Sequence, residues 1–199
     1  GDHRGLHAFA TRRFSDLRYR SLLSKIQSCG LAILDSGVST EFERRGQEMH
    51  DAAWSARVGI DSFDVLVSTH QAYIDAGAAV ITVNSYASSR LVLDPAGLSS
   101  EVRSINMKNI DAARLARERC GDDAVLIAGS ISHALSFASK QEKSTATCIE
   151  AFDEMVSFFE EGEVDLILLE MMSIPAHMLP LFRCVSSSTL PVWCGLSAQ

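Results

Sequence analysis

Short apolar runs alternate with longer amphipathic stretches from residue 31 onward. The runs have the length of strands and lie at 31–35, 78–84, 124–130, 164–170 and 191–197. The stretches between them show helical spacing and lie at 63–77, 100–121, 148–162 and 175–188. Because the runs are continuously apolar, they are typical of strands that a parallel sheet buries on both faces. The pattern predicts five parallel strands and four connecting helices.

Local signals predict where the helices begin and end. Ser100 is expected to cap one helix and Gly121 to end it. Gly77 and Gly162 are expected to end two others. Pro180 should bend or shorten the last helix, because a proline inside a helix removes a backbone hydrogen bond.

Polar residues stand where each predicted strand ends. They are Asp35, Asn84, Ser130, Glu170 and Ser197. In a parallel barrel the carboxyl ends of the strands share one face, and barrel enzymes hold their active sites there. Two architectures fit the pattern, an open doubly wound sheet or a (β/α)8 barrel. No glycine-rich phosphate loop follows the first run, which disfavours a nucleotide-binding open sheet.

Glu170 interrupts the apolar run LILLEMM at residues 166–172. A buried carboxylate without a partner is unfavourable by several kcal/mol or becomes protonated. We therefore expect Glu170 to lie at the mouth of the strand, where water or a cationic group can reach it.

The overall composition is that of an ordinary globular protein. The 199 residues are 47% hydrophobic and 22% charged. A formal net charge of −7 provides no basic surface for nucleic acid. The apolar runs are also shorter than the roughly 20 residues of a membrane-spanning helix. These features favour a soluble, cytoplasmic protein with neither nucleic acid nor membrane as a partner.

Residues 1–25 differ in charge from the rest of the chain. They carry six basic side chains against two acidic ones. Such a stretch is either a surface extension or first helix, or the remnant of an organelle-targeting peptide, which would place the protein in an organelle. We predict a basic extension at 1–25 and one domain at 26–199.

The five cysteines are dispersed and include no C-x-x-C pair. They are Cys29, Cys120, Cys148, Cys184 and Cys194. An odd, scattered set is typical of reduced core thiols in a reducing compartment.

Four sequence blocks resemble the successive signature blocks of the homocysteine S-methyltransferase family. They are ILDSGVSTEFERRG at 33–46, HQAYIDAGAAVITVNSYASS at 70–89, IAGSIS at 127–132 and GEVDLILLEMMSIPA at 162–176. Four blocks in the same order are more specific than any one of them. The resemblance spans about residues 31–198.

The resemblance implies a (β/α)8 barrel, of which about five strands of eight would fall in this chain. It also implies transfer of a methyl group from a cationic or folate donor to the thiol of homocysteine, giving methionine. These small molecules would be the partners, and a catalytic zinc ion would be the cofactor. A thiol reacts as its thiolate, and metal coordination deprotonates it. Sulfonium, betaine and folate users share these blocks, so the donor stays open.

The resemblance further implies substrate-binding roles for seven residues. Glu170 resembles the carboxylate that binds the homocysteine ammonium group. Asp35, Ser36 and Gly37 resemble the loop that lines the homocysteine site after the first strand, although Ser36 replaces a glycine usual in the family. A purely structural role for Asp35, as a cap of the next segment, stays open.

Asn84 and Tyr86 resemble the second-strand loop near the zinc and the methyl donor, where an aromatic face suits a cation. Ser130 resembles the pocket-lining serine of the third strand. Structural explanations stay open here too, since Tyr86 can serve packing and Ser130 a tight strand exit. We interpret His70 as a helix-packing residue and His133 as a loop residue.

The zinc thiolates of the family come from an Asn-Cys at the end of the sixth strand and a Gly-Gly-Cys-Cys near the eighth. None of the five cysteines aligns with those positions, and Cys194 is interpreted as a small core residue. We therefore expect no catalytic or metal-binding residue in this segment. Zinc would be held by cysteines beyond residue 199 of a full-length protein, of which this chain is the amino-terminal part.

Two other interpretations stay open. One is a noncatalytic homocysteine-binding or interaction module that closes its sheet by self-association, as a homo-oligomer. The other is a different barrel enzyme, such as a lyase that uses Glu170 as a base.

Overall fold

The computed structural model describes residues 3–49, 53–132 and 144–197. The helices in these ranges are α1 His3–Cys29, α2 Val38–Arg44, α3 Val58–Asp61, α4 Phe63–Asp75, α5 Arg90–Leu93, α6 Val102–Cys120, α7 Thr145–Glu161 and α8 Pro175–Val185. The strands are β1 Val80–Thr82, β2 Leu126–Ser132, β3 Leu166–Met172 and β4 Val192–Leu196. The predicted loop residue His133 falls outside the described residues.

The four strands form one parallel sheet in the order β1-β2-β3-β4. Val80 lies opposite Leu126, and Ala128 lies opposite Leu166. Helices α5 and α6, then α7, then α8 connect successive strands, as parallel neighbours require a long crossover. The predicted parallel α/β architecture is therefore confirmed.

The first predicted strand is wrong for the described residues. Within 31–35 the structure has a single parallel bridge, from Leu34 to Val80. Two backbone hydrogen bonds hold it, from Ala79 N to Ile33 O at 2.8 Å and from Asp35 N to Val80 O at 3.0 Å. In the part of the chain that the structure describes, the pairing between this segment and β1 is one bridge long, and Ile33 and Leu34 are 53% and 36% exposed. The sheet has four strands there instead of the predicted five.

Helix boundaries follow most of the local signals. Helix α6 ends at Cys120, and Gly121 adopts a left-handed φ of 63°. Ser100 does not cap α6, because it lies in a 3-10 turn that precedes the helix. Helix α8 continues through Pro180 and ends at Val185, earlier than predicted.

The sheet separates two apolar layers, because side chains alternate between its faces along each strand. One face, called the helix face, packs against α4, α6, α7 and α8. It carries Ile81, Ile127, Ile131, Ile167 and Leu169. The opposite face, called the second face, packs against α1. It carries Val80, Leu126, Ala128, Leu166 and Leu168, clustered around Leu22.

Helix α1 covers most of the basic amino-terminal stretch and continues past residue 25 to Cys29. Its contacts with the second face make it part of the folded structure. None of the helices in the described ranges combines the length and the apolar character needed to cross a membrane.

Candidate functional site at the carboxyl edge of the sheet

A cavity of about 450 Å³ opens at the carboxyl ends of β1 and β3. Six of the seven predicted site residues line it: Asp35, Ser36, Gly37, Asn84, Tyr86 and Glu170. The rest of its wall consists of Leu34, Val38, Ser39, Thr40, Trp54, Thr82, Val83, Leu168 and Met171. The fold thus brings together residues that are separated by more than a hundred positions in the sequence. Their roles in binding substrate stay predictions.

Asp35 is held by Thr82 on the neighbouring strand. Its carboxylate accepts hydrogen bonds from Thr82 N at 2.7 Å and from Thr82 Oγ1 at 2.9 Å. Helix α2 begins after Gly37 without a side-chain cap, so the capping explanation for Asp35 is wrong. Burial raises the pKa of Asp35 to about 7; the Thr82 bonds oppose the rise, and the nearby Glu170 carboxylate adds to it.

Glu170 projects from the same face of β3 as Leu166 and Leu168, in agreement with the alternation along a strand. Ser130, the seventh predicted residue, does not line the cavity but donates a hydrogen bond to Glu170 Oε2. Burial raises the pKa of Glu170, and the Ser130 hydrogen bond opposes this. β2 continues to Ser132, so Ser130 is not a tight strand exit.

Asn84 is fixed by a buried hydrogen-bond network. Its Nδ2 donates to Ser55 O at 2.7 Å, and its Oδ1 accepts from Ser55 Oγ at 3.1 Å. Its backbone carbonyl accepts from Asn109 Nδ2 at 2.7 Å. The amide therefore orients the loop that borders the cavity, with Ser55 and Asn109 as its supports.

Tyr86 forms an aromatic pair with Trp54 on the cavity wall. The ring centroids are 6.1 Å apart, and the rings are nearly perpendicular at 86°. Burial raises the pKa of Tyr86, and the charge of Glu170 raises it further. The Tyr86 ring therefore both packs against Trp54 and lines the cavity.

Sequence reasoning missed Thr82, Ser55 and Trp54. Thr82 was hidden inside an apolar run, although its position two residues after Val80 places it on the second face. Ser55 and Trp54 lie in an irregular stretch without periodicity. Only the fold brings Thr82 and Trp54 to the cavity wall and Ser55 to Asn84.

A family model described as homocysteine S-methyltransferase matches residues 32–199. This range includes the cavity and all seven predicted site residues. The chain belongs to the homocysteine S-methyltransferase family. The family assignment made from the four sequence blocks is thereby confirmed.

The relatives in this family match about half of this chain and about a third of their own length. Homocysteine S-methyltransferase 2 of Arabidopsis thaliana is 34% identical over 110 residues, which are 50% of this chain and 33% of that protein. Selenocysteine Se-methyltransferase of Brassica oleracea var. italica is 34% identical over 99 residues, which are 47% and 29% of the two chains. The chain therefore spans about a third of the length of these curated relatives.

The homocysteine methyltransferase MmuM from Escherichia coli, in its metallated form, shares the fold. The TM-score is 0.77 at 21% identity, and the match covers 92% of this chain and 67% of MmuM. At this identity the likeness concerns the fold, and it agrees with the parallel α/β arrangement described above.

The described side chains do not fit a zinc ion. In residues 3–49, 53–132 and 144–197, no three or more His, Cys, Asp or Glu side chains are grouped to hold a metal. Cys148 and Cys184 are buried between helices, and Cys120 lies at the end of α6. Cys194 is exposed in β4, so its predicted core position is wrong.

His70 lies fully buried in α4, as the packing interpretation expects. Burial lowers its pKa to about 4, so the ring is neutral at physiological pH. It does not belong to the lining of the cavity.

Proposed function

We propose that the whole protein transfers a methyl group to the sulfur of homocysteine, giving methionine, and that the cavity binds the amino-acid end of homocysteine. One observation carries the proposal: Glu170 and Asp35 place two carboxyl groups in one cavity at the carboxyl edge of the sheet, in a chain of this family.

Two carboxyl groups in a partly buried cavity suit a primary ammonium group. The carboxylates cannot neutralise each other, and burial disfavours their charged forms. An ammonium ion supplies the missing positive charge and three hydrogen-bond donors. Thr82 and Ser130 hold the two carboxyl groups in place, which reduces the ordering needed when the ligand binds.

The proposed reaction forms one bond and breaks one. The homocysteine sulfur, as thiolate, attacks the methyl carbon of the donor and forms the new S–C bond. In a cationic donor the bond from methyl carbon to sulfonium sulfur or quaternary nitrogen breaks, and its electron pair stays on that heteroatom, which becomes neutral. The Trp54–Tyr86 pair supports a cationic donor, because aromatic faces attract such cations.

We further propose that the four strands belong to a closed (β/α)8 barrel in the whole protein. The shared fold with MmuM supports this. Zinc, expected from the family, would then be held by side chains other than the described ones, since these do not form a metal site.

The test is methionine formation by the purified full-length protein. Homocysteine is incubated separately with S-methylmethionine, betaine and a methylfolate, and methionine is measured by mass spectrometry. Selenocysteine is a useful second acceptor, since one relative carries a selenocysteine Se-methyltransferase name. We expect methionine from homocysteine with at least one donor.

Failure with all three donors, while homocysteine still binds in calorimetry, would support the noncatalytic module. Release of a small fragment from homocysteine without any donor would support a lyase. Either result would contradict the proposed methyl transfer.

A further inference from the structure

The pairing of β3 with β4 shifts its register at the edge of the cavity. Leu169 lies opposite Cys194, and Met172 lies opposite Leu196. Three residue steps of β3 therefore match two of β4, which is the pattern of a β-bulge with one extra residue in β3. Bulges change the direction in which nearby side chains project, and they are frequent next to active sites.

The bulge directs two consecutive side chains to the cavity. Side chains of a regular strand alternate between the two faces, so neighbours in sequence project to opposite sides. Glu170 and Met171 nevertheless both line the cavity. Leu169 before them and Met172 after them both belong to the apolar cluster of the helix face. Met171 also has a left-handed φ of 56°, a conformation that is unfavourable for a residue with a side chain and that clusters at functional sites.

The Met171 thioether gives the cavity an apolar flank beside Glu170. Its Sδ accepts a hydrogen bond from Ser197 Oγ, just after β4, at 3.5 Å. A thioether accepts only weak hydrogen bonds, so it offers little to a polar ligand and a close contact to an apolar one. Leu168, which is 7% exposed, lines the cavity on the other side of Glu170 in the sequence and extends this flank.

The position of Met171 suits the side chain of an amino acid held at Glu170. Successive Cα atoms lie about 3.8 Å apart, and a methionine side chain is long enough to contact the carbon chain of a ligand whose ammonium group binds Glu170. Closure of the sheet into a barrel would keep this arrangement, because the carboxyl ends of barrel strands surround the active site. The contact therefore does not require Met171 to be exposed to solvent.

We propose that Met171 determines side-chain selectivity at this site, because it packs against the side chain of the bound amino acid and disfavours one that ends in a polar group. A ligand hydroxyl placed against Leu168 and Met171 would lose its hydrogen bonds to water without replacement. The inference rests on the proposed function in one respect, the binding of an amino acid through its ammonium group at Glu170. It does not depend on methyl transfer.

Competition binding of norvaline and homoserine to the full-length protein tests this selectivity. Both share the amino and carboxyl groups of homocysteine, but norvaline ends in a methyl group and homoserine in a hydroxyl group in place of the thiol. Met171→Gln introduces a polar, unbranched side chain of similar length. Met171→Gly removes the side chain and fits the left-handed backbone. Leu179→Gln, at an exposed position in α8, is the matched control.

We expect the unmodified protein and Leu179→Gln to prefer norvaline over homoserine by roughly 10- to 100-fold, the range for an apolar pocket that meets an added hydroxyl. Both Met171 variants should reduce this preference by roughly tenfold. An equal loss of affinity for the two ligands would overturn the proposal, because Met171 would then only maintain the shape of the bulge. An unchanged preference would overturn it as well. If Met171→Gln does not fold, Met171→Gly decides.

Failure of this inference is distinguishable from failure of the proposed function. If the unmodified protein binds these ligands and the Met171 variants keep its preference, the amino-acid site stands and the role of Met171 falls. If the unmodified protein binds none of homocysteine, norvaline and homoserine, the amino-acid site itself is refuted, and the role of Met171 falls with it.

Discussion

Glu170 ends an apolar series on the second face of β3, where Leu166 and Leu168 precede it. Ser130 projects from the same face of the neighbouring strand and donates a hydrogen bond to Oε2 of Glu170. The charge is tolerated because the strand reaches the cavity at this residue. Its position at the cavity end of the strand is thus what allows a carboxylate to follow two buried leucines.

Replacing Glu170 with Gln removes the negative charge of the side chain and keeps its size and shape. The amide can still accept the hydrogen bond from Ser130 but no longer attracts an ammonium group. We expect the affinity of the full-length protein for homocysteine to fall roughly 10- to 100-fold, the range for a lost hydrogen bond to a charged group. Calorimetric titration measures it, and Glu150→Gln on the exposed side of α7 is the control. Unchanged homocysteine affinity would refute the assigned role.

Asp35 should make stability depend on pH. Its pKa in the folded protein is about 7, above the ordinary 3.8, so between these values the folded state holds a proton that the unfolded chain has released. The stabilisation is complete below about pH 4 and is lost as the pH rises through about 7. Asp35→Asn stays neutral throughout, because an amide does not ionise in this range.

We therefore expect Asp35→Asn to gain stability relative to the unmodified protein between pH 5 and pH 8, by roughly 2 kcal/mol. Urea unfolding at both pH values measures the difference. Asp64→Asn, at an exposed position in α4, is the matched control. If the free energies of unfolding of Asp35→Asn and the unmodified protein differ by the same amount at both pH values, Asp35 is not the titrating group.

At the scale of elements, β2 and α7 approach closely at a glycine. A Cβ atom on Gly129 would lie 2.5 Å from Cγ of the Phe159 ring. Gly195 in β4 is the counterpart, because a Cβ there would meet its nearest neighbour, Leu169 O, at an ordinary 3.5 Å. Both glycines lie within strands, but Gly129 is buried in the interior strand β2 and Gly195 is exposed in β4, the last strand of the sheet order.

Gly129→Ala should destabilise the protein by about 1–3 kcal/mol, the usual range for overpacking a core. Gly195→Ala should not destabilise it comparably, since it fits without displacement and restricts the unfolded chain. Urea midpoints of the two variants provide the comparison. Equal midpoints would show that the Phe159 ring moves aside freely.

At the scale of the whole molecule, Asp165 connects four elements. It precedes β3 and binds Arg18 of α1, Arg117 of α6 and the backbone of Ile127 in β2. A single fully buried carboxylate thus fixes the amino-terminal end of the sheet to helices on both faces.

Asp165→Asn should lower the free energy of unfolding by about 3 kcal/mol, because it leaves two largely buried guanidinium groups without a counter-charge. Glu161→Gln removes the exposed pair with Arg103 and should have little effect. Thermal and urea unfolding of both variants test this contrast. If both variants lose a similar free energy of unfolding, the Asp165 network does not hold the elements together.

Periodicity predicted most of the elements, because the spacing of apolar residues reflects the face that each element buries. It indicated α4, α6, α7 and α8 together with β1 to β4. It also located Asp35, Asn84 and Glu170 at the carboxyl edge, because strand ends in a parallel sheet share one side. It failed for residues 31–35, where the apolar run forms a single bridge to β1 in the described part of the chain and stays partly exposed.

The sequence by itself determined the α/β class, the parallel character of the sheet and the position of Asp35, Asn84 and Glu170 at its carboxyl edge, since these depend on local spacing and on chain order. The tertiary structure decided which groups meet. It paired Asp35 with Thr82, brought Trp54 to Tyr86 and placed α1 on the second face. Such contacts join residues that are distant in the chain, and their geometry follows from packing that no local pattern encodes.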